Sequence, residues 1–177
     1  VDNENKVTYI DNDNKELGHE AVNYLQAKGH RKIGFVTDDL FGQVGQERYQ
    51  GYQEAADNLN LDVLPELVFS ARTIETFKKE LERFSPTALI VKDDLIALRL
   101  IQWLNNQGFR VPEEYAIISF NNSTFAEIMH PFLTTFDINI QELAKESVQN
   151  LLGILKATKI KSQKVIIPFK LIERESV

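Results

Sequence analysis

The chain has 177 residues, of which 43% are apolar and 26% charged, with a net charge of −6 and no cysteine. That balance is globular, with room for one domain or two small ones, and lacks the basic excess that marks phosphate-backbone binding. Without cysteine there are no disulfides, thiolate metal sites or cysteine nucleophiles; the three histidines, His19, His30 and His130, share no helical spacing, so no metal and no cofactor is expected.

Apolar periodicity sets out the elements in order. Residues 7–10 read as the end of a strand, and Leu17, Ala21, Tyr24 and Leu25 recur at helical spacing until Gly29 stops the helix. A strand over 33–36 follows, then a helix marked by Tyr49, Tyr52, Ala56 and Leu59, with Arg48 in its first turn. Residues 66–69 form a short strand, and Thr73 opens a helix whose apolar face is Ile74, Phe77, Leu81 and Phe84. Ser85-Pro86 ends it; residues 88–91 make a strand too apolar to face water, and Asp93-Asp94 stands at the N-cap ahead of Ala97, Ile101 and Leu104. After Gly108 and Val111-Pro112 comes a buried strand over 115–120, closed by Asn121-Asn122. A short helical stretch over 125–129 leads to Pro131, a segment over 133–136 and a long helix carrying Ile140, Leu143, Ala144, Val148, Leu151, Leu152 and Leu155. Residues 165–167 and 169–172 read as one last strand interrupted by Pro168.

Strands alternating with helices argue for a doubly wound, parallel α/β sheet, whose ligands sit at the carboxyl ends of the strands. No apolar run reaches the length of a membrane span, and the first six residues are polar, so a soluble cytoplasmic chain without a signal peptide is expected. The absence of an initiator methionine suggests that a preceding segment was removed.

Four strand ends carry polar clusters, at residues 11–14, 37–39, 92–94 and 121–122. Asp and Asn at such places serve as helix caps and turn residues as readily as they line a site. The set contains no nucleophile paired with a base and no glycine-rich phosphate loop, so an enzyme is not expected. Arg48 adds a planar, five-donor guanidinium suited to a polyhydroxylated or anionic ligand, and Gly51 suggests close backbone approach; a surface arginine beside an incidental glycine is the alternative. Among the aromatics, Phe41, Phe125 and Phe136 are candidates to stack on a sugar ring, although such residues are more often core.

The ordered set Asp13-Asn14, Gly29-His30-Arg31-Lys32-Ile33-Gly34-Phe35-Val36, Arg48-x-x-Gly51-Tyr52, Asp93-Asp94-x-x-Ala97, Gly108-x-x-Val111-Pro112-Glu113-Glu114, Ser119-Phe120-Asn121-Asn122, Pro131-x-Leu133-Thr134-Thr135 and Leu171-Ile172-x-Arg174-x-Ser176 resembles the effector-binding domain of LacI/GalR-family bacterial transcriptional regulators. The resemblance implies a periplasmic-binding-protein-like (type I) fold of two lobes, here with the N-terminal lobe incomplete. It implies a partial N-terminal lobe over 1–31, a C-terminal lobe over 32–131, a return to the N-terminal lobe over 132–157, and a final C-terminal-lobe strand and tail over 158–177. It further implies a homodimer that binds operator DNA through a headpiece absent from this chain and is controlled by a small-molecule effector, with no membrane partner. Effector contacts carried over by position are Arg48, Asp93, Asn121 and Asp13, with Phe125 and Phe41 as aromatic contacts. Many relatives have aspartate where this chain has Asn121, and an amide, which donates and accepts without a charge to desolvate, suits a neutral sugar. Residues 123–138 are similar to maltose-responsive repressors. A catabolite-control regulator answering to a phosphocarrier protein, or an extracytoplasmic sugar-binding protein, are the alternatives.

Overall fold

The computed structural model of the chain describes residues 9–38, 42–156 and 164–177. Three strands, β2 (Ile33–Thr37), β4 (Ala88–Val91) and β5 (Ala116–Phe120), are buried along their full length, as strands covered on both faces must be. Successive side chains point to opposite faces. On one face Leu89, Val91 and Ile117 pack with Phe77 and Leu81 of α3 (Ile74–Phe84) and Leu100 and Leu104 of α4 (Asp94–Asn106). On the other, Ala88, Ile90 and Ile118 pack with Leu17 and Leu25 of α1 (Asn14–Ala27) and Tyr52 and Ala56 of α2 (Gln43–Asn58).

The main sheet has six strands in the order β3-β2-β4-β5-β6-β8, where β3 is Leu67–Val68, β6 is Thr134–Asp137 and β8 is Lys170–Ile172. Every pairing is parallel except that of β8 with β6. A second, two-stranded parallel sheet joins β1 (Tyr9–Asp11) to β7 (Lys164–Ile166). The short helix α5 (Phe125–Ile128) precedes β6, and α6 (Ile140–Leu155) follows it. No helix among the described residues is long and apolar enough to cross a membrane.

Helices α1 and α2 cross backbone to backbone. A Cβ added to Gly18 would collide with the Arg48 carbonyl, and one added to Gly51 with the Lys15 carbonyl, which accounts for both glycines inside helices despite their cost of about 1 kcal/mol each against alanine.

Several boundaries differ from those expected. Helix α1 packs on the main sheet with α2, because its apolar stripe matches the face of β2 and β4, so among the described residues of the segment over 1–31 it is β1 that joins the second sheet. Strand β6 likewise extends the main sheet, so Thr134–Asp137, expected within the return segment over 132–157, pair with β5. The expected single last strand is two: β7 pairs with β1, Pro168 supplies no N–H, and β8 crosses to the main sheet. Helix α2 starts at Gln43, which moves Arg48 into its second turn; no apolar periodicity marks that polar first turn.

Helix α6 has no buried residue, and Ile140, Val148, Leu151, Leu152, Ile154 and Leu155 are all exposed. A helix of this pattern normally buries its apolar stripe.

Candidate functional site

Parallel pairing brings the carboxyl ends of β4 and β5 to one end of the sheet, and the loops after them meet the turn after β1 and the second turn of α2. There Arg48, Asp93 and Asn121 line a single open cavity of about 430 Å³ together with Asp11, Asn12 and Lys92. The volume lies within the roughly 300–1,000 Å³ range of small-molecule sites. Ile138 after β6 and Ile140 and Leu143 of α6 supply an apolar wall opposite the polar groups.

Arg48 is only 5% exposed. Its Nε donates to Asn14 Oδ1 at 3.1 Å and its Nη1 to the Lys92 carbonyl at 3.0 Å, while its guanidinium carbon stands 4.5 Å from the centre of the Phe120 ring. Both hydrogen-bond partners are neutral. Burial pulls the Arg48 pKa down to about 10, although the charges of Asp11, Asp93 and Asp94 oppose that shift. A cation held this way has hydrogen-bonding capacity left for a ligand, since two of its five N–H groups are accounted for by these bonds.

Asp93 caps α4, accepting from Ile96 N at 2.9 Å, and also faces the cavity. The cap reading and the site reading are therefore compatible for this residue. Asn121 and Asn122 divide their work. Both have positive φ, +107° and +48°, a region that asparagine tolerates better than most side chains. Asn122 is committed within the fold, accepting from Arg174 Nη2 at 2.9 Å, whereas the Asn121 side chain lines the cavity.

Two expected contacts lie elsewhere. Asp13 caps α1, accepting from Glu16 N at 3.1 Å, and does not line this cavity; of its neighbours, Asp11 lines it and Asn14 holds Arg48. Phe125, on α5, does not line this cavity, because α5 packs beside α4 on the far face of β5. Phe136 is core, stacked on Phe120 at 5.7 Å. Phe41 lies outside the described residues. Phe120, which no strand-end pattern singled out, is the aromatic ring beneath the guanidinium.

Asn12, Asp11 and Asn14 tie the site together. The buried Asn12 amide donates to the carbonyls of Ile138 and Ile167, at 3.0 and 2.8 Å, joining the chain segments that pass between the two sheets. Asp11 accepts from Asn14 Nδ2 at 3.0 Å, which leaves Asn14 Oδ1 oriented toward Arg48. Lys92, whose carbonyl holds Arg48, pairs through its ammonium with Asp38 at the end of β2. The chemistry of the set is binding: acceptors on Asp11 and Asp93, an amide that does both, a buried donor fork, and an apolar wall.

Residues 22–177 match the family model described as periplasmic binding protein-like domain. The chain is 30% identical to the NTD biosynthesis operon regulator NtdR of Bacillus subtilis over 96% of its own length and 54% of that protein. Among solved structures, a putative transcriptional regulator LacI from Bacillus cereus subsp. cytotoxis superposes with a TM-score of 0.87 at 31% identity, covering 100% of this chain and 66% of that one. A LacI family transcriptional regulator from Enterococcus faecium with bound ribose also has a TM-score of 0.87, at 25% identity, covering 99% of this chain and 67% of that one. The chain thus spans about half the length of the curated relatives it matches.

Proposed function

We propose that this chain, which belongs to the periplasmic binding protein-like domain family, is the effector-binding part of a LacI-type transcriptional repressor and that its effector is a neutral sugar. The observation that carries the reading is Arg48, a buried guanidinium with neutral partners at the strand-end cavity, facing Asp93 and Asn121 across it. Sugar hydroxyls both donate and accept, so they match a fork of donors opposite carboxylates and an amide, and the C–H face of a ring suits the wall of Ile138 and Leu143.

In this reading the protein binds and does not turn over its ligand. Maltose is the specific effector and the protein a maltose-operon-type repressor, a cytoplasmic homodimer that grips operator DNA through a segment outside this chain. Ligand binding shifts the closure of the two lobes and with it the affinity for DNA, by the difference in ligand affinity between the two states.

Titration calorimetry of the full-length protein with maltose, glucose, ribose and a purine tests the reading. Heat with maltose, and release or capture of operator DNA at the same concentrations, is expected; no heat with any sugar would overturn it. Asn121→Asp is expected to change the ranking of these ligands severalfold, because each hydrogen bond lost or gained contributes about 0.5–1.5 kcal/mol. Thermal unfolding of the same variant should change by no more than about 0.5 kcal/mol, since aspartate also tolerates positive φ. Unchanged ligand ranking would return Asn121 to the role of a turn residue.

A further inference from the structure

Behind the cavity lies a carboxylate that does not line it. Asp94, the first residue of α4, is 1% exposed and accepts from Ser119 Oγ of β5, from Thr135 Oγ1 of β6 at 2.8 Å and from the backbone N–H of Ser123 at 2.6 Å. Among the described residues it makes no ion pair, so three hydrogen bonds from two strands and a turn are what hold it. Thr135 Oγ1 in turn accepts from the Asn122 N–H at 3.4 Å.

The same turn is gripped by a second charged residue. Arg174, near the end of the chain, donates through Nη2 to Asn122 Oδ1 at 2.9 Å and to Glu127 at 3.0 Å, and through Nη1 to the Leu133 carbonyl at 2.9 Å. Just before the two gripped residues stands Asn121, whose own N–H donates to the Phe136 carbonyl at 2.8 Å. Two successive asparagines at positive φ persist where the surroundings over-determine the backbone, and here bonds to Phe136, Thr135, Asp94 and Arg174 hold three consecutive residues.

We infer that Asp94 and Arg174 are positioning residues: together they clamp the turn over 121–123 and so set where the Asn121 amide stands relative to Asp93 and Arg48, without touching the effector. Asp94 is adjacent to the cavity-lining Asp93, so one short stretch of α4 both lines the site and anchors its opposite rim. Affinity then depends on residues that a ligand never meets, because a site loosened by an ångström loses its preorganisation. The inference rests on the proposed function only for the choice of ligand.

Two readouts on the full-length protein decide it. In Asp94→Asn, where an NH₂ replaces one acceptor, and in Arg174→Lys, which cannot reproduce the three-way grip, amide hydrogen exchange at Asn122 and Ser123 in the absence of ligand is expected to rise about tenfold while that of β2 and β4 stays unchanged. Unchanged exchange at the turn, or an equal rise throughout the sheet, would overturn the clamp. Maltose affinity by calorimetry is expected to fall about tenfold in Asp94→Asn but less than about twofold when the same change is made in an Asn121→Ala background. Additive losses in that cycle would show that Asp94 acts on stability alone. If maltose gives no heat with the wild-type protein, the sugar reading fails and the exchange measurement still decides the clamp. Should Asp94→Asn not fold, Thr135→Val removes one of its donors and carries the same test, with Thr135→Ser restoring the hydroxyl.

Discussion

Arg48→Ala is expected to weaken effector binding about a hundredfold while leaving operator binding and thermal stability nearly intact. A hydrogen bond from a charged donor contributes about 1.5–3 kcal/mol, and the loss of two such bonds to a ligand exceeds the 2.8 kcal/mol or so that a hundredfold represents. The structural cost is small for a specific reason: a guanidinium only 5% exposed is disfavoured by burial in the folded state, so the lost bonds to Asn14 and the Lys92 carbonyl are offset by relief from desolvation. Calorimetry with the effector and a melting curve on the same preparation check this. Equal loss of stability and binding would assign Arg48 a structural role. Arg48→Lys should recover little, because an ammonium cannot hold Asn14, the Lys92 carbonyl and a ligand in one plane.

Gly51→Ala is the second large effect, and its sign distinguishes two accounts. Helix propensity alone makes alanine more stable by about 1 kcal/mol. The crossing geometry demands the reverse, since the new methyl would overlap the Lys15 carbonyl and force α1 away from α2. Overpacking of this kind costs about 1–3 kcal/mol, which at this chain length lowers the melting temperature by about 2–4 °C per kcal/mol. Displacing α1 also moves Asn14, the residue that aligns Arg48, so effector affinity should fall with stability in this variant, in contrast to Arg48→Ala. A rise in melting temperature would show that the helices separate easily and that Gly51 is incidental.

How much of this was legible in the sequence differs by element. The apolar runs over 88–91 and 115–120 announced strands covered on both faces, because no soluble arrangement leaves such runs exposed, and their alternate side chains do pack on opposite helical layers. Gly51 announced a close approach, since a helix tolerates glycine poorly without one. Asp93 and Asn121 stood out as polar groups at the carboxyl ends of strands and Arg48 as a guanidinium early in a helix; the structure brings the three to one cavity. Asp13 misled: a polar residue before a helix serves its own N–H groups as readily as a ligand, and which of Asp11, Asp13 and Asn14 faces Arg48 depends on how the turn after β1 is tied to residues 138 and 167. Phe125 misled for a related reason, as an aromatic near a strand end in sequence stands on whichever face its short helix packs. Pro168 was legible as a break, but not as a crossing between two sheets, because strand partners are set by segments distant in the chain: Val165 pairs with Ile10, and Leu171 with Phe136.

Order and type of the elements up to α6, the two-faced burial of the central strands and the placement of polar groups at their ends were thus determined by the sequence alone, through local periodicity and the need to bury apolar surface. The tertiary structure alone decided which of those polar groups meet. It separated Asn121, turned to the cavity, from Asn122, held by Arg174, and it placed Asp94 as the buried anchor behind them. The physical reason is that a hydrogen bond between residues 29 or 52 positions apart leaves no periodic trace in the chain; it exists only where strand pairing brings the ends of β4, β5 and β6, and the residues that follow β8, side by side.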